Sequence, residues 1–428
     1  MADDKFQIIV VGAGPAGCAA AYRLAKGGCE VLLMERGKSP GSKNVSGGRL
    51  YSYALEALMP GEWHDAPLER EVAREVITFI TAGSSISLDC KLTDLPPRLS
   101  YTVLRAKLDS WLANKAEEAG AMLIPNTTVD SLLVRDGKVC GVRTGDEEFE
   151  ADLVICADGV NSLLASEAGF IPRPKSEHTA VAVKHVISLP EDIINQRFNL
   201  QGKQGAGLLL LGSCTAGIGG GGFLYTNKES VSLGVVLDSK GLKESRKTVA
   251  DIAEDMKFHP TIAPLIEGGE VIEYSAHLIP EGGIKIVPQL FGDGLLIAGD
   301  AAGLVINNGF TVRGMDYAIM SGIAAADTAL VAIEAENYSA SMLKIYEKRL
   351  KSPVLQDMET FRHTHDFMVS TPELYTTYPE IVESIMKNIF TIQGESHQRL
   401  PEILRKSIFD KISIWKLLRD GAKGVRSI

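Results

Sequence analysis

The chain has 428 residues, of which 45% are hydrophobic and 23% charged, and its formal net charge is −10 at pH 7. This length exceeds the size at which one hydrophobic core usually divides, so we expect two or more domains. The balance of hydrophobic and charged residues excludes a largely disordered chain, and we expect no nucleic-acid partner for this acidic protein.

Neither the cysteines nor the amino terminus indicates a metal site or an export signal. The six cysteines, at 18, 29, 90, 140, 156 and 214, show no C-x-x-C spacing. Several lie in apolar segments, where thiols are usually inert packing groups, so we expect no metal site. Residues 1–5 lack a basic region before a hydrophobic stretch. We therefore expect no secretory signal and a cytoplasmic location.

The first predicted unit is a strand, a helix and a second strand over residues 5–36. In the turn after the first strand, Gly12 allows a tight bend, Gly14 the close approach of a pyrophosphate, and Gly17 close packing of helix on strand. Glu35 ends the second strand 18 residues after Gly17, where a carboxylate accepts hydrogen bonds from an adenosine ribose. The unit predicts a dinucleotide site and disfavours a phosphorylated ribose.

The segment that follows this unit is less regular but contains further candidate cofactor residues. A turn-rich stretch at 44–50 contains Gly48 and Arg49 and offers backbone amides to a cofactor. Arg105 stands at the start of an amphipathic helix. The other predicted elements are strands around 72–90, that helix from 105 to about 119, and short strands over 121–156 with a hairpin turn at 135–138.

Two later apolar strands each end at a carboxylate, at Asp158-Gly159 and at Gly299-Asp300. With the glycine turn, and in this order, they resemble the glutathione-reductase-like class of FAD proteins. The resemblance implies that Asp300 contacts the ribityl chain of the flavin. It also implies that the helix beginning at Gly314 directs its N-terminus at the flavin pyrimidine edge, where it would stabilise negative charge. Because this helix is rich in Ala and Gly, a buried core helix is an equally compatible interpretation.

This resemblance implies an α/β fold with FAD as the cofactor: a glutathione-reductase-like FAD-binding Rossmann domain with an inserted mixed β-sheet substrate domain and a helical C-terminus. A position on the surface or a role in capping a loop is the alternative to cofactor contact for three arginines, Arg49, Arg105 and Arg313. The predicted domains are residues 1–75, 100–180 and 276–335 for FAD, 76–99 and 181–275 for the substrate, and 336–428 for the helical region. The predicted cofactor-binding residues are Gly12, Ala13, Gly14, Pro15, Ala16, Gly17, Glu35, Arg36, Gly48, Arg49, Arg105, Val129, Asp158, Gly299, Asp300, Arg313 and Gly314.

An uncharged window at 205–227 raises the question of a membrane span, for which roughly 20 residues suffice. The window holds eight glycines, and each costs about 1 kcal/mol relative to alanine in a helix. We therefore predict strands joined by turns. The strands expected in the second domain lie near 180–188, 207–212, 222–227 and 230–237.

Three segments of the later chain resemble the electron-transfer-flavoprotein:quinone oxidoreductase family, and within it the FixC branch. They are Gly-Gly-Gly-Gly-Phe-Leu-Tyr at 219–225, the segment 259–269, and Tyr-Ser-Ala-His-Leu-Ile-Pro-Glu-Gly-Gly at 274–283. The resemblance spans nearly the whole length. It implies that the protein takes electrons from an electron transfer flavoprotein through FAD and delivers them toward quinone. Catalysis would consist of positioning the flavin, and no side chain would act as an acid or a base. His277 is accordingly assigned no catalytic role.

The chain departs from larger members of this family in two ways. Gly220, Gly221 and Phe223 match their quinone-contacting segment, but Gly219 stands where a tyrosine is usual, which puts the quinone contact in doubt. No cysteine follows Cys214, so thiolates cannot bind an iron-sulfur cluster in the C-terminal region. The resemblance implies that a separate small ferredoxin-like subunit supplies the cluster.

The C-terminal tail is basic on an acidic protein. Residues 401–428 carry seven Lys and Arg against three Asp and Glu. A stripe at helical spacing, formed by Leu404, Ile408, Ile412, Trp415 and Leu418, indicates a basic amphipathic helix. Such a helix either packs on the protein body or contacts an anionic membrane or a partner. The second interpretation places the protein peripherally on the inner face of the cell membrane.

Three alternatives to electron transfer share the FAD framework. A geranylgeranyl-reductase-like enzyme is disfavoured because none of the three tryptophans stands in the Tyr-x-Trp-x-Phe-Pro motif of that group. A flavin hydroxylase would consume oxygen with reduced nicotinamide. A cofactor-free binding module would have lost residues such as Glu35 and Asp300, which this chain retains.

Overall fold

The computed structural model describes residues 5–42, 48–91, 100–161, 163–173, 175–392, 394, 396 and 398–428. The predicted turn residues 44–47 lie outside this set, whereas Gly48 and Arg49 lie within it. The described chain is an α/β protein built on two large sheets, and each sheet has a hydrophobic core of its own.

The first sheet contains the predicted dinucleotide unit. Its strands are β1 (Phe6–Val11), β2 (Val31–Met34), β7 (Met122–Ile124), β10 (Glu147–Cys156), β16 (Phe291–Gly292) and β17 (Leu295–Ile297), with β8 (Ser131–Arg135) and β9 (Lys138–Thr144) as a hairpin on β10. The order is β16-β17-β10-β1-β2-β7, and all neighbours from β17 to β7 are parallel. The central strands are almost wholly apolar because parallel strands are buried on both faces.

Helices cover the first sheet. They are α1 (Pro15–Lys26), α2 (Tyr53–Leu58), α3 (Arg105–Glu118), α4 (Leu163–Glu167) and α9 (Met315–Glu334). Helix α1 begins with a proline, whose fixed φ and missing N–H suit the first helical position. Helix α9 packs on α1 so closely that a methyl carbon built on Gly322 would lie 2.2 Å from the Ala16 carbonyl oxygen.

Among the described helices, α9 alone has the length and mean hydropathy, 1.3, of a membrane span, but 67% of that segment is buried inside the protein. Its apolar composition is therefore accounted for by packing in the core.

The second sheet has nine strands. They are β3 (Arg49–Tyr51), β4 (Leu68–Ile80), β5 (Ser85–Lys91), β6 (Ser100–Val103), β11 (Thr179–Ser188), β12 (Gln204–Gly212), β13 (Gly220–Thr226), β14 (Ser230–Asp238) and β15 (Glu270–Pro280). The order is β15-β11-β14-β13-β12-β4-β6-β3, and β5 pairs with β4. The uncharged window forms β12 and β13, which confirms the prediction of strands in place of a membrane helix.

The second sheet also takes in β3, β6 and the first half of β4, outside the ranges 76–99 and 181–275 expected for the substrate domain. The domain boundaries stay a prediction. Short helices accompany this sheet: α5 (Glu191–Arg197), α6 (Ser239–Glu244), α7 (Val249–Lys257) and α8 (Ala263–Ile266).

The chain after α9 is helical, as predicted. A two-stranded hairpin, β18 (Ile306–Asn307) and β19 (Val312–Arg313), precedes α9. The helices that follow are α10 (Ala340–Leu343), α11 (Ile345–Leu350), α12 (Gln356–Thr360), α13 (Thr364–Ser370), α14 (Thr377–Phe390), α15 (Leu400–Phe409) and α16 (Ile414–Ser427).

The prediction of one continuous amphipathic helix for the tail was wrong. The stripe is divided between α15 and α16, because the Ser413 side chain accepts a hydrogen bond from the Lys416 backbone N–H and begins a new helix. Ile412 is buried at the break, whereas Trp415 is 80% exposed and Leu418 is 58% exposed. One part of the stripe therefore packs on the protein, and the other faces outward.

Candidate functional site

A cavity of about 390 Å³ lies where four parallel strands of the first sheet end. Gly12 follows β1, Glu35 follows β2, Asp158 lies just beyond β10, and Gly299 lies just beyond β17; all four line the cavity. The carboxyl ends of parallel strands meet at one edge of the sheet, and cofactors of α/β proteins bind in the crevice outside that edge. The three landmarks recognised in the sequence thus meet in one cavity.

Most of the predicted cofactor residues line this cavity, while three do not. Ala13, Gly17 and Arg313 lie outside its wall. The predicted residues that line it are Gly12, Gly14, Pro15, Ala16, Glu35, Arg36, Gly48, Arg49, Arg105, Val129, Asp158, Gly299, Asp300 and Gly314.

The glycine turn needs its glycines for steric reasons. Gly12 has a φ of +100°, and a methyl carbon built on it would lie 2.3 Å from the Ala157 carbonyl oxygen. A methyl carbon built on Gly17 would lie 1.8 Å from the Gly12 carbonyl oxygen. Side chains at either position would push apart the turn, the first helix and the neighbouring strand end. Gly17 therefore shapes the cavity without lining it.

Backbone amides hold the Glu35 carboxylate in place. Its Oε2 accepts a hydrogen bond from the Ala13 N–H at 3.0 Å, and its Oε1 accepts one from the Gly37 N–H at 2.6 Å. The side chain is buried, yet it borders the cavity. A carboxylate retains acceptor capacity beyond two hydrogen bonds, so Glu35 is oriented to receive ribose hydroxyls. Ala13 thus orients Glu35 through its backbone N–H, although it does not line the cavity.

Asp158 has an oxygen that no described residue satisfies. Its Oδ1 is buried without a hydrogen-bond partner among the described residues, while Oδ2 accepts from the Leu164 N–H at 3.4 Å. Burial raises the pKa of Asp158 to about 6. A buried orphan acceptor at a cavity wall is what a ligand hydroxyl or N–H would satisfy. This atom, the glycine turn and the oriented Glu35 fit a bound FAD.

Arg105 and Asp300 place opposite charges on the cavity wall. The Arg105 guanidinium forms two hydrogen bonds of 2.7 Å with the carboxylate of Asp109, which is fully buried. Burial raises the pKa of Asp300, and the charge of Arg105 acts in the opposite direction. The ion pair with Asp109 fixes the arginine head beside the Gly14 turn, where a methyl carbon would lie 3.7 Å from its Nη2.

The N-terminus of α9 reaches the cavity, since Gly314, Met315 and Ala318 all line it. The first N–H groups of a helix are unsatisfied within the helix and carry partial positive charge. The α9 helix thus both packs in the core and directs its N-terminus at the cavity, so the two interpretations of this segment coexist.

Arg313 lies beside the cavity in a cluster of acids and tyrosines. Its guanidinium pairs with Asp316 and Asp357, each at 2.7 Å, and lies 4.4 Å from the centroid of the Tyr317 ring. Two carboxylates offset its charge, which weakens the case that it neutralises a reduced flavin. Its predicted cofactor contact stays a prediction.

The second sheet contributes lining residues that the sequence reasoning did not assign to the cofactor. Tyr225, His277 and Ile279 line the cavity from β13 and β15. Burial lowers the pKa of His277, and the positive charges of Arg105 and Arg36 act in the same direction. The segment 274–283, which resembles the family, drew attention to His277. The sequence alone, however, does not show that this side chain faces the cavity.

The predicted quinone residues lie on β13 behind the cavity wall. Phe223 is buried and stacks on Tyr225, with ring centroids 5.3 Å apart. Gly220 has a φ of +140° and would place a methyl carbon 2.0 Å from the Val236 carbonyl oxygen. Gly220, Gly221 and Phe223 do not line the cavity themselves. Contact with a quinone at these residues stays a prediction.

Comparison with known proteins identifies the family. Three family profiles match: "FAD binding domain" over residues 5–196, "FAD dependent oxidoreductase" over 101–328, and "ETF-QO/FixC family C-terminal domain" over 364–428. The chain is 48% identical to "Probable electron transfer flavoprotein-quinone oxidoreductase YdiS" of Escherichia coli K12 over 100% of both chains. It is 47% identical to "Protein FixC" of Escherichia coli O157:H7 over 99% of each.

A solved structure shares the fold. It is a geranylgeranyl bacteriochlorophyll reductase-like protein from Thermoplasma acidophilum, with a TM-score of 0.73 and 22% identity, covering 97% of this chain and 99% of that one. At this identity the likeness concerns the fold alone. With close to half of its residues identical to those two relatives along the full length, the chain belongs to the ETF-QO/FixC family of FAD-dependent oxidoreductases.

Proposed function

We propose that this protein transfers electrons from an electron transfer flavoprotein, through bound FAD, to a quinone. The observation that carries the proposal is the convergence of the glycine turn, Asp158 and Asp300 on one cavity, in a chain related along its whole length to "Probable electron transfer flavoprotein-quinone oxidoreductase YdiS". FAD supplies the chemistry, since it exchanges electrons singly or in pairs.

The residues of this chain would hold FAD rather than react with it. Glu35 would accept the adenosine ribose hydroxyls, the Gly12–Gly14 turn and the start of α1 would bind the pyrophosphate, and Asp300 would bind the ribityl chain. The N-terminus of α9 would stabilise negative charge on the reduced ring. We also infer that the FAD domain belongs to the glutathione-reductase-like class.

We place the quinone on the second-sheet side of the flavin, near Gly220, Gly221 and Phe223. Two observations support this position. Phe223 stacks on Tyr225, which lines the cavity. Gly220 and Gly221 lie on the same strand, β13, as this cavity-lining tyrosine.

The exposed apolar side chains of the C-terminal helices support contact with a membrane. On α16, Trp415 is 80% exposed and Val425 is 85% exposed; Phe390 at the end of α14 is 78% exposed. The carboxyl end of α16 lies near the hairpin that borders the cavity, since Ile428 Cδ1 is 3.5 Å from a methyl carbon built on Gly309. A lipid-dissolved quinone would meet the protein on this side, and the basic residues of α16 would favour anionic lipids.

The remaining partners and the location follow from the same proposal. A separate ferredoxin-like subunit would provide the iron-sulfur cluster, since no cysteine follows Cys214. Among the described residues, no group of three or more His, Cys, Asp or Glu is arranged to hold a metal ion. We place the protein in the cytoplasm, peripherally on the inner face of the cell membrane.

The test is electron transfer by the FAD-loaded protein. We expect a yellow protein whose absorbance bleaches when a reduced electron transfer flavoprotein is added and recovers when a soluble quinone analogue follows. A yellow protein that exchanged electrons with neither the electron transfer flavoprotein nor the quinone analogue would overturn the proposal. Oxygen consumption driven by reduced nicotinamide would instead favour a hydroxylase, saturation of an isoprenoid double bond would favour a reductase, and a colourless protein that does not bind FAD would favour a binding module.

Membrane contact has a matched test. Trp415→Glu should reduce co-sedimentation with anionic phospholipid vesicles, because it places a charge on the exposed face of α16. Phe258→Glu is the control, since Phe258 is 78% exposed but lies after α7, beside the second sheet. Equal binding by both variants and the unmodified protein would remove α16 from the proposed contact.

A further inference from the structure

Tyr225 brings an unsatisfied hydroxyl to the FAD cavity from the second sheet. The residue lines the cavity, although only 6% of its surface is exposed. Among the described residues, the hydroxyl has no hydrogen-bond partner. Tyrosine hydroxyls in buried positions usually have a partner, so this one is a group that a bound ligand would satisfy.

The ring of Tyr225 reaches across β12 toward an ion pair. Gly207 on β12 is the cross-strand neighbour of Tyr225 on one side and of Glu75 on β4 on the other. A methyl carbon built on Gly207 would lie 3.4 Å from Tyr225 Cε1 and 3.3 Å from Glu75 Oε2. Because Gly207 has no side chain, the edge of the tyrosine ring and the carboxylate approach each other over this residue.

Arg49 adds a second donor at this end of the cavity. It lines the cavity, and its guanidinium forms a bidentate pair with Glu75 and hydrogen bonds with the Ser100 hydroxyl. These bonds use four of its five N–H groups, so one N–H on Nη1 has no partner in the described part of the chain. Tyr51, whose ring centroid is 5.2 Å from Arg49 Cζ, also has a buried hydroxyl without a partner among the described residues.

These donors suit a neutral acceptor. The Glu75 carboxylate offsets the charge of Arg49, so an anionic ligand group would gain little there. Burial raises the pKa of Tyr225 to about 12, although the positive charge of Arg49 acts in the opposite direction. The hydroxyl therefore remains a donor at neutral pH. A carbonyl oxygen accepts hydrogen bonds without a full charge, and it fits this set of donors.

Tyr225 also belongs to an aromatic stack on β13. Phe223 and Tyr225 project from the same face of the strand, and their rings lie with centroids 5.3 Å apart and planes inclined by 25°. Phe223 is held over Gly234 of β14, where a built methyl carbon would lie 2.4 Å from its Cζ. Tyr225 is the member of this stack that reaches the cavity. A flat conjugated ring bound there would meet an aromatic surface and hydrogen-bond donors together.

We propose that the Tyr225 hydroxyl donates a hydrogen bond to a carbonyl oxygen of the quinone, with Arg49 as a second donor. This inference rests on the proposed function. The tyrosine keeps its proton, and its hydrogen bond strengthens as negative charge builds on the quinone oxygen. The flavin ring has carbonyl oxygens as well. The groups that would hold FAD, such as the Gly14 turn and Asp300, belong to the first sheet, so the second-sheet position of Tyr225 favours the quinone.

The test measures quinone binding separately from electron transfer. The oxidised, FAD-loaded protein is titrated with naphthoquinone, and calorimetry gives the Kd. Tyr225→Phe removes only the hydroxyl, and we expect it to raise this Kd roughly 10-fold, the usual effect of one lost hydrogen bond. Naphthalene, which has the same ring system but no oxygen, should bind the variant and the unmodified protein equally. Tyr274→Phe is the matched control, since Tyr274 is 53% exposed on β15 and does not line the cavity.

Reoxidation of the pre-reduced protein gives a second readout. Tyr225→Phe should lower the second-order rate constant for naphthoquinone by at least roughly 10-fold. The rate with ferricenium, which has no carbonyl oxygen, should be unchanged. The loss with naphthoquinone should be the same from about pH 6 to about pH 9, because the hydroxyl does not titrate in this range. FAD affinity and the flavin absorption spectrum should stay as they are in the unmodified protein.

Several results would overturn the assignment. An unchanged naphthoquinone Kd and rate in Tyr225→Phe would do so. A shifted flavin spectrum or FAD affinity would assign the hydroxyl to the flavin instead, and an equal loss with ferricenium would indicate a structural role. If Tyr225→Phe does not fold, equal affinity of the unmodified protein for naphthoquinone and naphthalene would have the same meaning. If the unmodified protein binds naphthoquinone through Tyr225 but does not reduce it, the proposed function fails and the binding assignment stands.

Discussion

Gly322→Ala should destabilise the protein even though alanine is the better helix former. Within a helix the change gains about 1 kcal/mol of intrinsic propensity. The added methyl carbon, however, would lie 2.2 Å from the Ala16 carbonyl oxygen and 3.0 Å from both Ala19 Cβ and Ala20 N. All three atoms belong to the backbone or first side-chain carbon of α1, so none can rotate away. Overpacking of this kind costs about 1–3 kcal/mol.

The cost exceeds the gain because α9 cannot easily move aside. Separation to 3.0 Å, the shortest ordinary distance for such a carbon, needs a shift of at least about 0.8 Å. The buried Ser321 hydroxyl holds α9 by accepting a hydrogen bond from the Gly299 N–H at 2.9 Å. We expect a net loss of up to about 2 kcal/mol, together with weaker FAD binding, because α1 begins at the cavity.

The assay is urea unfolding followed by tryptophan fluorescence and circular dichroism. Trp63 and Trp111 belong to or border the core of the first sheet and report on that domain. Gly421→Ala in α16 is the control, because nothing lies within 4 Å of the added carbon and only the propensity gain applies. If Gly322→Ala were as stable as, or more stable than, the unmodified protein, the close contact of α1 and α9 would be refuted.

Two further predictions concern carboxylates of the cavity. Glu35→Gln should weaken FAD binding about 10- to 100-fold, since it removes a charged acceptor from the Ala13 and Gly37 N–H groups; calorimetric titration beside the exposed-site control Glu62→Gln would detect it, and an unchanged affinity would contradict it. Asp158→Asn should stabilise the FAD-free protein at pH 8 by roughly 1–3 kcal/mol. The folded pKa of Asp158, about 6, lies above the unfolded value of about 3.9, so the unmodified protein loses stability as the pH rises between the two. The advantage of asparagine should vanish near pH 4 in urea titrations, and a pH-independent difference would exclude this cause.

Sequence patterns predicted those parts of the site that depend on local backbone geometry. The turn at Gly12, the acid at Glu35 and the carboxylate at Asp300 each follow a strand, and parallel strands bring their carboxyl ends together. The positions of Tyr225 and His277 depend on how the second sheet lies against the first, and this arrangement has no local signature. Such tertiary contacts are outside the reach of periodicity and spacing.

The tail shows how a local signal was overlooked. Regular spacing of apolar residues suggested one helix, but the spacing of Ile412 and Trp415 continues across a break at Ser413. Serine is a favoured N-cap, and its side-chain bond to the Lys416 N–H competes with helix continuation. Periodicity alone does not distinguish one helix from two helices in register.

The arginines at the cavity explain why the cofactor site relies on backbone groups. Arg105 is paired with Asp109, Arg49 forms a bidentate pair with Glu75, and Arg313 is held by Asp316 and Asp357. A guanidinium that already has a carboxylate partner contributes little net charge to a neighbouring phosphate or flavin. The positive potential at the cavity then comes from Arg36 and from the N-termini of α1 and α9, whose N–H groups are fixed by the fold. Close packing of these two helices therefore sets both the stability of the domain and the electrostatics of the site, and the glycines at their contact serve both.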